Sequence, residues 1–195
     1  MDLIDRLIEY DKALMVRINN EWHHPVLDIL FQHIRETYFW MPVYLFFIVF
    51  AALNFGKRGW LWILAAVLTI AITDQVSSNL IKNNIMRLRP CRDPEIADQI
   101  RFFIKYCPRS SSFTSSHATN HFGFASFVVL TLRNFTGPWI NILILFAATV
   151  SYAQVYVGVH YPLDVCCGAI VGSSIGYGMS IIFNKKIGLP AFARS

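Results

Sequence analysis

With 195 residues and a net charge of +5, the chain has room for one domain, and it is 55% hydrophobic and only 15% charged. That balance is too apolar for an ordinary soluble domain of this size. No Lys/Arg run is interleaved with aromatics, which argues against nucleic-acid binding, and four cysteines are too few for a disulfide scaffold.

In chain order, Leu3, Ile4, Leu7, Ile8, Leu14, Met15 and Ile18 recur at helical spacing among Asp, Glu, Arg and Lys. This predicts an amphipathic helix on the membrane surface or against a helix bundle, and not a cleavable signal peptide. A second short amphipathic piece runs from Pro25 to Ile34. Thr37 to Gly56 carries no charge over 20 residues, enough to span a bilayer core of about 30 Å. Lys57-Arg58-Gly59 reads as a tight basic turn. Gly59 to Ile81 is a second predicted span with one charge, Asp74, and a polar region follows from Lys82 to Arg109. The third span begins near Ala118, and 139–157 and 163–183 are the fourth and fifth. The expected fold is an all-α integral membrane protein. Residues 1–36 form amphipathic interfacial helices, and 37–184 form a five-helix transmembrane bundle with a catalytic loop at 82–116, all within a single 1–195 domain.

Alternation of five spans puts the N-terminus, the 82–116 region and the 158–163 turn on one side. The opposite side holds Lys57, Arg58, Arg133, Lys185, Lys186 and Arg194 with no acidic residue, and reads as cytoplasmic. The polar region then faces outward, toward the periplasm if the source is Gram-negative, with the chain in the inner membrane. Its seven Lys/Arg between 82 and 109 are assigned to function rather than topology. Gly168, Gly172 and Gly176 recur every four residues, a spacing that favours close helix packing within the bundle over dimerisation. Cys166 and Cys167 lie in the same apolar run and are expected to pack as small hydrophobes.

Three short stretches concentrate the chemistry. Lys82-Asn-Asn-Ile-Met-Arg-Leu-Arg89-Pro90 puts two cations two helical turns apart, on one face of a helix that Pro90 would end. Thr114-Ser115-Ser116-His117 precedes the third span, and Ala153-Gln154-x5-His160-x3-Asp164 joins the fourth to the fifth. In order, spacing and placement these resemble the three motifs of the type 2 phosphatidic acid phosphatase superfamily: K-x6-R-P, P-S-G-H and S-R-x5-H-x3-D. The second motif keeps only its serine and histidine, and the third keeps only its histidine and aspartate.

The resemblance implies a phosphatase acting on a phosphorylated membrane lipid, with no metal or other cofactor. His160 would be the nucleophile, forming a phosphohistidine, and Asp164 would orient its ring. His117 would act as general acid and base. Lys82, Arg89, the Ser115 and Ser116 region and Gln154 would bind the phosphate. Other readings stand beside these. Lys82 and Arg89 could be interfacial anchors that snorkel to the headgroups, and Asp164 could cap the fifth span. His117 and His121 have a metal-ligand spacing without a third ligand. Asp74 reads as a hydrogen-bonded buried carboxylate.

Gln154 departs furthest from the family pattern, since a neutral amide stands where the motif has an arginine. Arg87, Arg92 and Arg109 are the candidate replacements. Cys91 and Cys107 share the polar region, and both a disulfide and two free thiols remain open. The expected substrate is a lipid phosphomonoester or diphosphate: lipid A phosphate first, then undecaprenyl diphosphate, phosphatidylglycerophosphate or phosphatidic acid. The competing reading is a non-catalytic lipid-phosphate binder or transporter.

Overall fold

The computed structural model describes residues 2–104 and 106–190. Arg194, counted above among the cytoplasmic cations, lies outside them. The described residues are helical with no strand. Two amphipathic helices, α1 (Leu3–Val16) and α2 (Pro25–Ile34), come first. They are followed by α3 (Thr37–Gln75), α4 (Ser116–Thr136), α5 (Ile142–Tyr156) and α6 (Pro162–Lys186).

Helix α3 is two helices. Gly56 has φ 51 and ψ −130, a conformation open to glycine and strained for other residues. The chain reverses there. A Cβ on Gly59 would lie 2.0 Å from the carbonyl oxygen of Ala51, so the second arm runs back along the first. Among the described residues, three segments are by length and composition long and apolar enough to cross a membrane: Thr37–Ile81, Ser116–Tyr156 and Pro162–Lys186. The first contains the reversal at Gly56. The second contains Gly137, at φ 71, which ends α4.

Helices α4 and α6 pack with almost nothing between their backbones. Cβ atoms on Gly172 and Gly176 would fall 2.1 Å from Thr119 O and 2.3 Å from Gly123 O. The small-residue stripe therefore faces α4 within the chain, as its spacing suggested. This approach matters for function, because α4 begins beside His117 and α6 begins beside Asp164. A buried aromatic and aliphatic cluster around Phe47, Trp62, Phe127, Leu132 and Phe183 fills the far half of the bundle. Trp62 Nε1 donates to Thr131 Oγ1 at 2.8 Å, tying α3 to α4.

Helix α1 is more than a surface float. Leu3, Ile4 and Leu7 are exposed, but Asp11 and Met15 are buried against the bundle. Asp11 Oδ1 accepts the N–H of Leu163 at 2.8 Å, and Lys12 pairs with Asp93 at 2.7 Å. The amphipathic N-terminus is thus bolted onto the polar loop. Of the vicinal thiols, Cys167 is partly buried, while Cys166 is exposed on the outer face of α6, which corrects its expected packing.

Candidate active site

The helix ends at Lys82, eight residues before Pro90. A π-helical turn, Val76–Ile81, closes it, and residues 82–84 form a turn. This corrects the expected helical face from Lys82 to Arg89. The physical reason lies in Asn83 and Asn84, poor helix formers, and in competing bonds. Asn84 Nδ2 turns back to Leu80 O at 2.6 Å. Beyond it the chain runs extended against 110–112, with Arg87 N–H donating to Ser111 Oγ and Ser112 N–H to Arg87 O. Extended backbone delivers Arg89 inward and turns Arg87 toward α1.

Arg89 is 5% exposed and fully engaged. Its Nε donates to Ser110 O at 3.0 Å, Nη2 to Ser110 Oγ at 3.0 Å, and Nη1 to Val159 O at 3.1 Å. The same Nη1 lies 3.1 Å from His160 Nε2. His160, in the turn between α5 and α6, is buried, and Gln154 O accepts its N–H at 3.2 Å. Its other ring nitrogen, Nδ1, faces Asp164 Oδ2 at 3.5 Å. This arrangement fits a ring with the proton on Nδ1 and the lone pair on Nε2, the tautomer that hydrogen bonding on the far side selects. Burial is the main force keeping the imidazole neutral and pushes its pKa down to about 4, against the opposing hydrogen bond to Asp164.

Asp164 is wholly buried near the start of α6. Oδ2 accepts from Ser112 Oγ and from Tyr161 N–H at 2.9 Å, and Oδ1 accepts from Arg87 Nη1 at 2.6 Å. It therefore caps α6 and faces His160 at once. Arg87 also reaches Asp11 Oδ2 at 2.6 Å, and its guanidinium stacks 3.9 Å from the centre of the Tyr161 ring. Burial works against its charge, yet Asp164 and Asp11 hold its pKa above the ordinary value. Arg87 is thus committed to two carboxylates, which removes it as a stand-in for the missing motif arginine.

Lys82 and His117 complete the gathering. Lys82 is partly buried, and its charge acts on both His160 and His117. Burial chiefly, then repulsion from Arg89, brings its pKa down to about 8. His117 sits in the first turn of α4. Ser115 is the N-cap there: its Oγ accepts from Ala118 N–H at 3.4 Å, and its own N–H goes to Asp164 O at 3.1 Å. Ser116 Oγ bonds Ser77 Oγ at 3.0 Å and Ser78 Oγ at 3.1 Å. The Ser116 hydroxyl thus ties α4 to the π-helical turn after α3, while the Ser115 hydroxyl caps α4. Gln154 is 1% exposed, and its Nε2 is buried without a hydrogen-bond partner among the described residues. Arg92 and Arg109 are exposed and, with Ser110, line a cavity that opens onto Arg89.

Two residues were missed in the sequence. Ser112 touches Asp164 and lies 3.5 Å from His160 Nδ1, but it is one of three consecutive serines and nothing set it apart. Asp11 carried a signal: a carboxylate on the apolar stripe of α1, between Ile8 and Met15. Asp74 Oδ1 accepts from Asn120 Nδ2 at 3.1 Å and Ser78 Oγ at 3.3 Å, the hydrogen-bonded role expected of it. Cys91 and Cys107 form a disulfide, Cα–Cα 6.1 Å, across the polar loop.

A buried histidine between a carboxylate and an arginine, at one end of apolar helices, marks an integral membrane phosphatase. The chain matches the PAP2 superfamily over residues 59–187, and it belongs to that family as a lipid phosphatase. It is 32% identical over 187 residues to a lipid A 4'-phosphatase of Bacteroides thetaiotaomicron, covering 94% of this chain and 81% of that protein. It is 30% identical over 143 residues to an undecaprenyl-diphosphatase of Sulfolobus acidocaldarius, covering 73% of this chain and 62% of that one. The crystal structure of Aquifex aeolicus LpxE superposes with a TM-score of 0.61 at 26% identity, over 89% of this chain and 94% of that one. A PAP2-type phosphatidylglycerolphosphate phosphatase from Bacillus subtilis shares the fold, with a TM-score of 0.68 at 21% identity over 96% and 89% of the two chains.

Proposed function

We propose that this chain removes phosphate from a membrane lipid through a phosphohistidine on His160. The observation that carries the reading is the single line Asp164–His160–Arg89, with a buried neutral ring between a carboxylate and a guanidinium. In the first step Nε2 attacks phosphorus, the bond from phosphorus to the lipid oxygen breaks, and His117 gives that oxygen a proton. In the second, His117 takes a proton from water, the resulting hydroxide attacks phosphorus, and the P–Nε2 bond breaks to release orthophosphate. Arg89 and Lys82 stabilise charge on the non-bridging oxygens, with the N–H groups of the first turn of α4. Gln154 adds a neutral donor.

The topology fits five membrane passes in one domain, made by 37–55, 57–81, α4, α5 and α6, with α1 and α2 on the outer surface. Lys57, Arg58, Arg133, Lys185 and Lys186 then face the cytoplasm and the site faces outward. An apolar recess lined by Trp40, Tyr44, His121 and Phe146 lies one turn along α4 from His117. Among substrates we favour lipid A phosphate, supported by the relatives of that name from Bacteroides thetaiotaomicron and, at 29% identity, Porphyromonas gingivalis. The test is phosphate release in detergent from lipid A, undecaprenyl diphosphate, phosphatidylglycerophosphate and phosphatidic acid, wild type against His160→Ala. Highest kcat/KM on lipid A supports the substrate, and another winner replaces it. No release from any lipid would favour the binder or transporter reading instead.

Lys82 gives a pH signature. With its pKa near 8, the free enzyme loses this cation as pH rises, so kcat/KM should fall on the alkaline side of about 8. Lys82→Arg keeps its charge and should flatten that limb. An identical limb in the variant would assign the titration to another group.

A further inference from the structure

Gln154 leaves the third motif one cation short, and the three arginines first considered are paired or exposed. Arg87 is held by Asp11 and Asp164, and Arg92 and Arg109 stand exposed at the rim. A fourth, Arg35, closes α2 and lies far in sequence from every motif. Its side chain is only 12% exposed. Nη1 lies 3.1 Å from Glu36 Oε1, whose own side chain is 45% exposed and so a weakly held, solvent-screened partner. The Nε atom is buried and has no hydrogen-bond partner among the described residues. A guanidinium so placed lacks adequate compensation.

Packing fixes where it stands. Ile34, the preceding residue, belongs to a buried cluster with Trp40, Ala153, Val157 and Val159. Ala153 and Val159 are the chain neighbours of Gln154 and His160. Trp40 Nε1 donates to Ile34 O at 2.6 Å, and its ring meets His121 edge-on at 5.8 Å, one turn along α4 from His117. The α2–α3 corner is thereby pressed against the two elements that carry the histidines. The charges agree with this placement. Arg35 is the strongest charge acting on His117, and at Arg89 it ranks next after Asp164.

We propose that Arg35 is the third cation of the phosphoryl site, donating to a non-bridging oxygen in place of the arginine that Gln154 displaced. The assignment rests on the phosphatase reading above. A bound phosphoryl dianion would give the buried guanidinium the partner that Glu36 supplies only partly. Arg35 and Gln154 then form a pair: the cation has moved to the N-terminal segment, and a neutral amide occupies its former position.

The pairing makes a test that a merely structural arginine cannot pass. Arg35→Ala, Arg35→Lys, Gln154→Arg and the double variant Arg35→Ala/Gln154→Arg are compared by kcat/KM on a lipid phosphate. Affinity for orthophosphate is read in parallel as the shift in Tm it produces in detergent. Arg35→Ala is expected to lose on the order of 10²–10³-fold in kcat/KM, the range for removing one donor from a transition-state anion site. Arg35→Lys should recover part of it. Gln154→Arg should raise Arg35→Ala by roughly tenfold or more. Should Arg35→Ala fail to fold, Arg35→Gln carries the same comparison. Arg35→Ala within about threefold of wild type, or no rescue by Gln154→Arg in either readout, overturns the proposal. A wild type that releases no phosphate fails the phosphatase reading alone, and the orthophosphate shifts then decide for Arg35. No orthophosphate response from the wild type overturns both.

Discussion

His160→Ala should lower phosphate release by on the order of 10⁴-fold or more, while His117→Ala should fail in a different way. The two histidines have separate jobs in the proposed mechanism. Without His160 there is no covalent route, whatever the leaving group. Without His117 the attack still occurs when the leaving oxygen needs no proton. With an aryl phosphate such as p-nitrophenyl phosphate, His117→Ala should therefore release the phenol in a burst and then stall. The phosphohistidine waits for a water that nothing activates. With a lipid phosphate, whose leaving alkoxide needs protonation, the same variant should lose about 10²–10⁴-fold with no burst. Rapid-quench kinetics and intact-protein mass spectrometry check this, since a phosphoramidate at His160 is acid-labile and stable to base. A His160→Ala enzyme that keeps turnover, or a phosphoryl group trapped elsewhere, would end the assignment. Both variants should keep the wild-type Tm to within a few degrees, because neither histidine carries an ion pair that holds helices together.

Much of this arrangement could be read from the chain, and the remainder could not, for physical reasons. Apolar runs between charged turns locate helices well, because length and hydropathy are local properties. The reversal at Gly56 falls beside the basic turn placed at 57–59. Motif order brought His160, Asp164 and Arg89 to one point, where they now stand within 3.5 Å of one another in pairs. The helical face from Lys82 to Arg89 failed because spacing alone does not reveal competing partners. Ser111 and Ser112, more than twenty residues on, draw that stretch into extended pairing. Long-range partners were illegible in general. Nothing near Arg35 announces that Ile34 packs beside Ala153. Asp11 was visible only as an anomaly on an apolar stripe, with no clue that Arg87 and Leu163 were its partners. The substituted motif pointed to a replacement cation among Arg87, Arg92 and Arg109, whereas the proposed one, Arg35, lies far from it in sequence.

The second large effect is expected at the charge cluster behind the nucleophile. Asp164, Arg87 and Asp11 form a carboxylate–guanidinium–carboxylate triad with both contacts at 2.6 Å, and the side chains are 0%, 19% and 6% exposed. Removing one member of such a cluster strands the others, at a cost of about 3–5 kcal/mol. Asp164→Asn keeps the shape but changes one oxygen into a donor. Set toward Arg87, that donor meets a guanidinium; set the other way, it meets Tyr161 N–H, Ser112 Oγ and the His160 ring. In the second orientation α6 loses its cap and His160 the acceptor that selects its tautomer; in the first the cap survives but a donor is set against the Arg87 guanidinium. Asp164→Asn should therefore lower both Tm and kcat, the latter by on the order of 10⁴-fold as in a triad with the wrong tautomer. Arg87→Met strands two carboxylates and should cost similar stability, yet Asp164 Oδ2 still faces His160, so kcat should fall far less. Adding Asp11→Asn to Arg87→Met removes one of the stranded charges and should return part of the lost Tm, a non-additivity expected of groups in contact. Thermal unfolding and kcat in the same detergent measure both effects. If Asp164→Asn keeps wild-type turnover, the carboxylate is only a helix cap and His160 is oriented by something else. If the double variant is no more stable than Arg87→Met, the three groups do not act as one cluster.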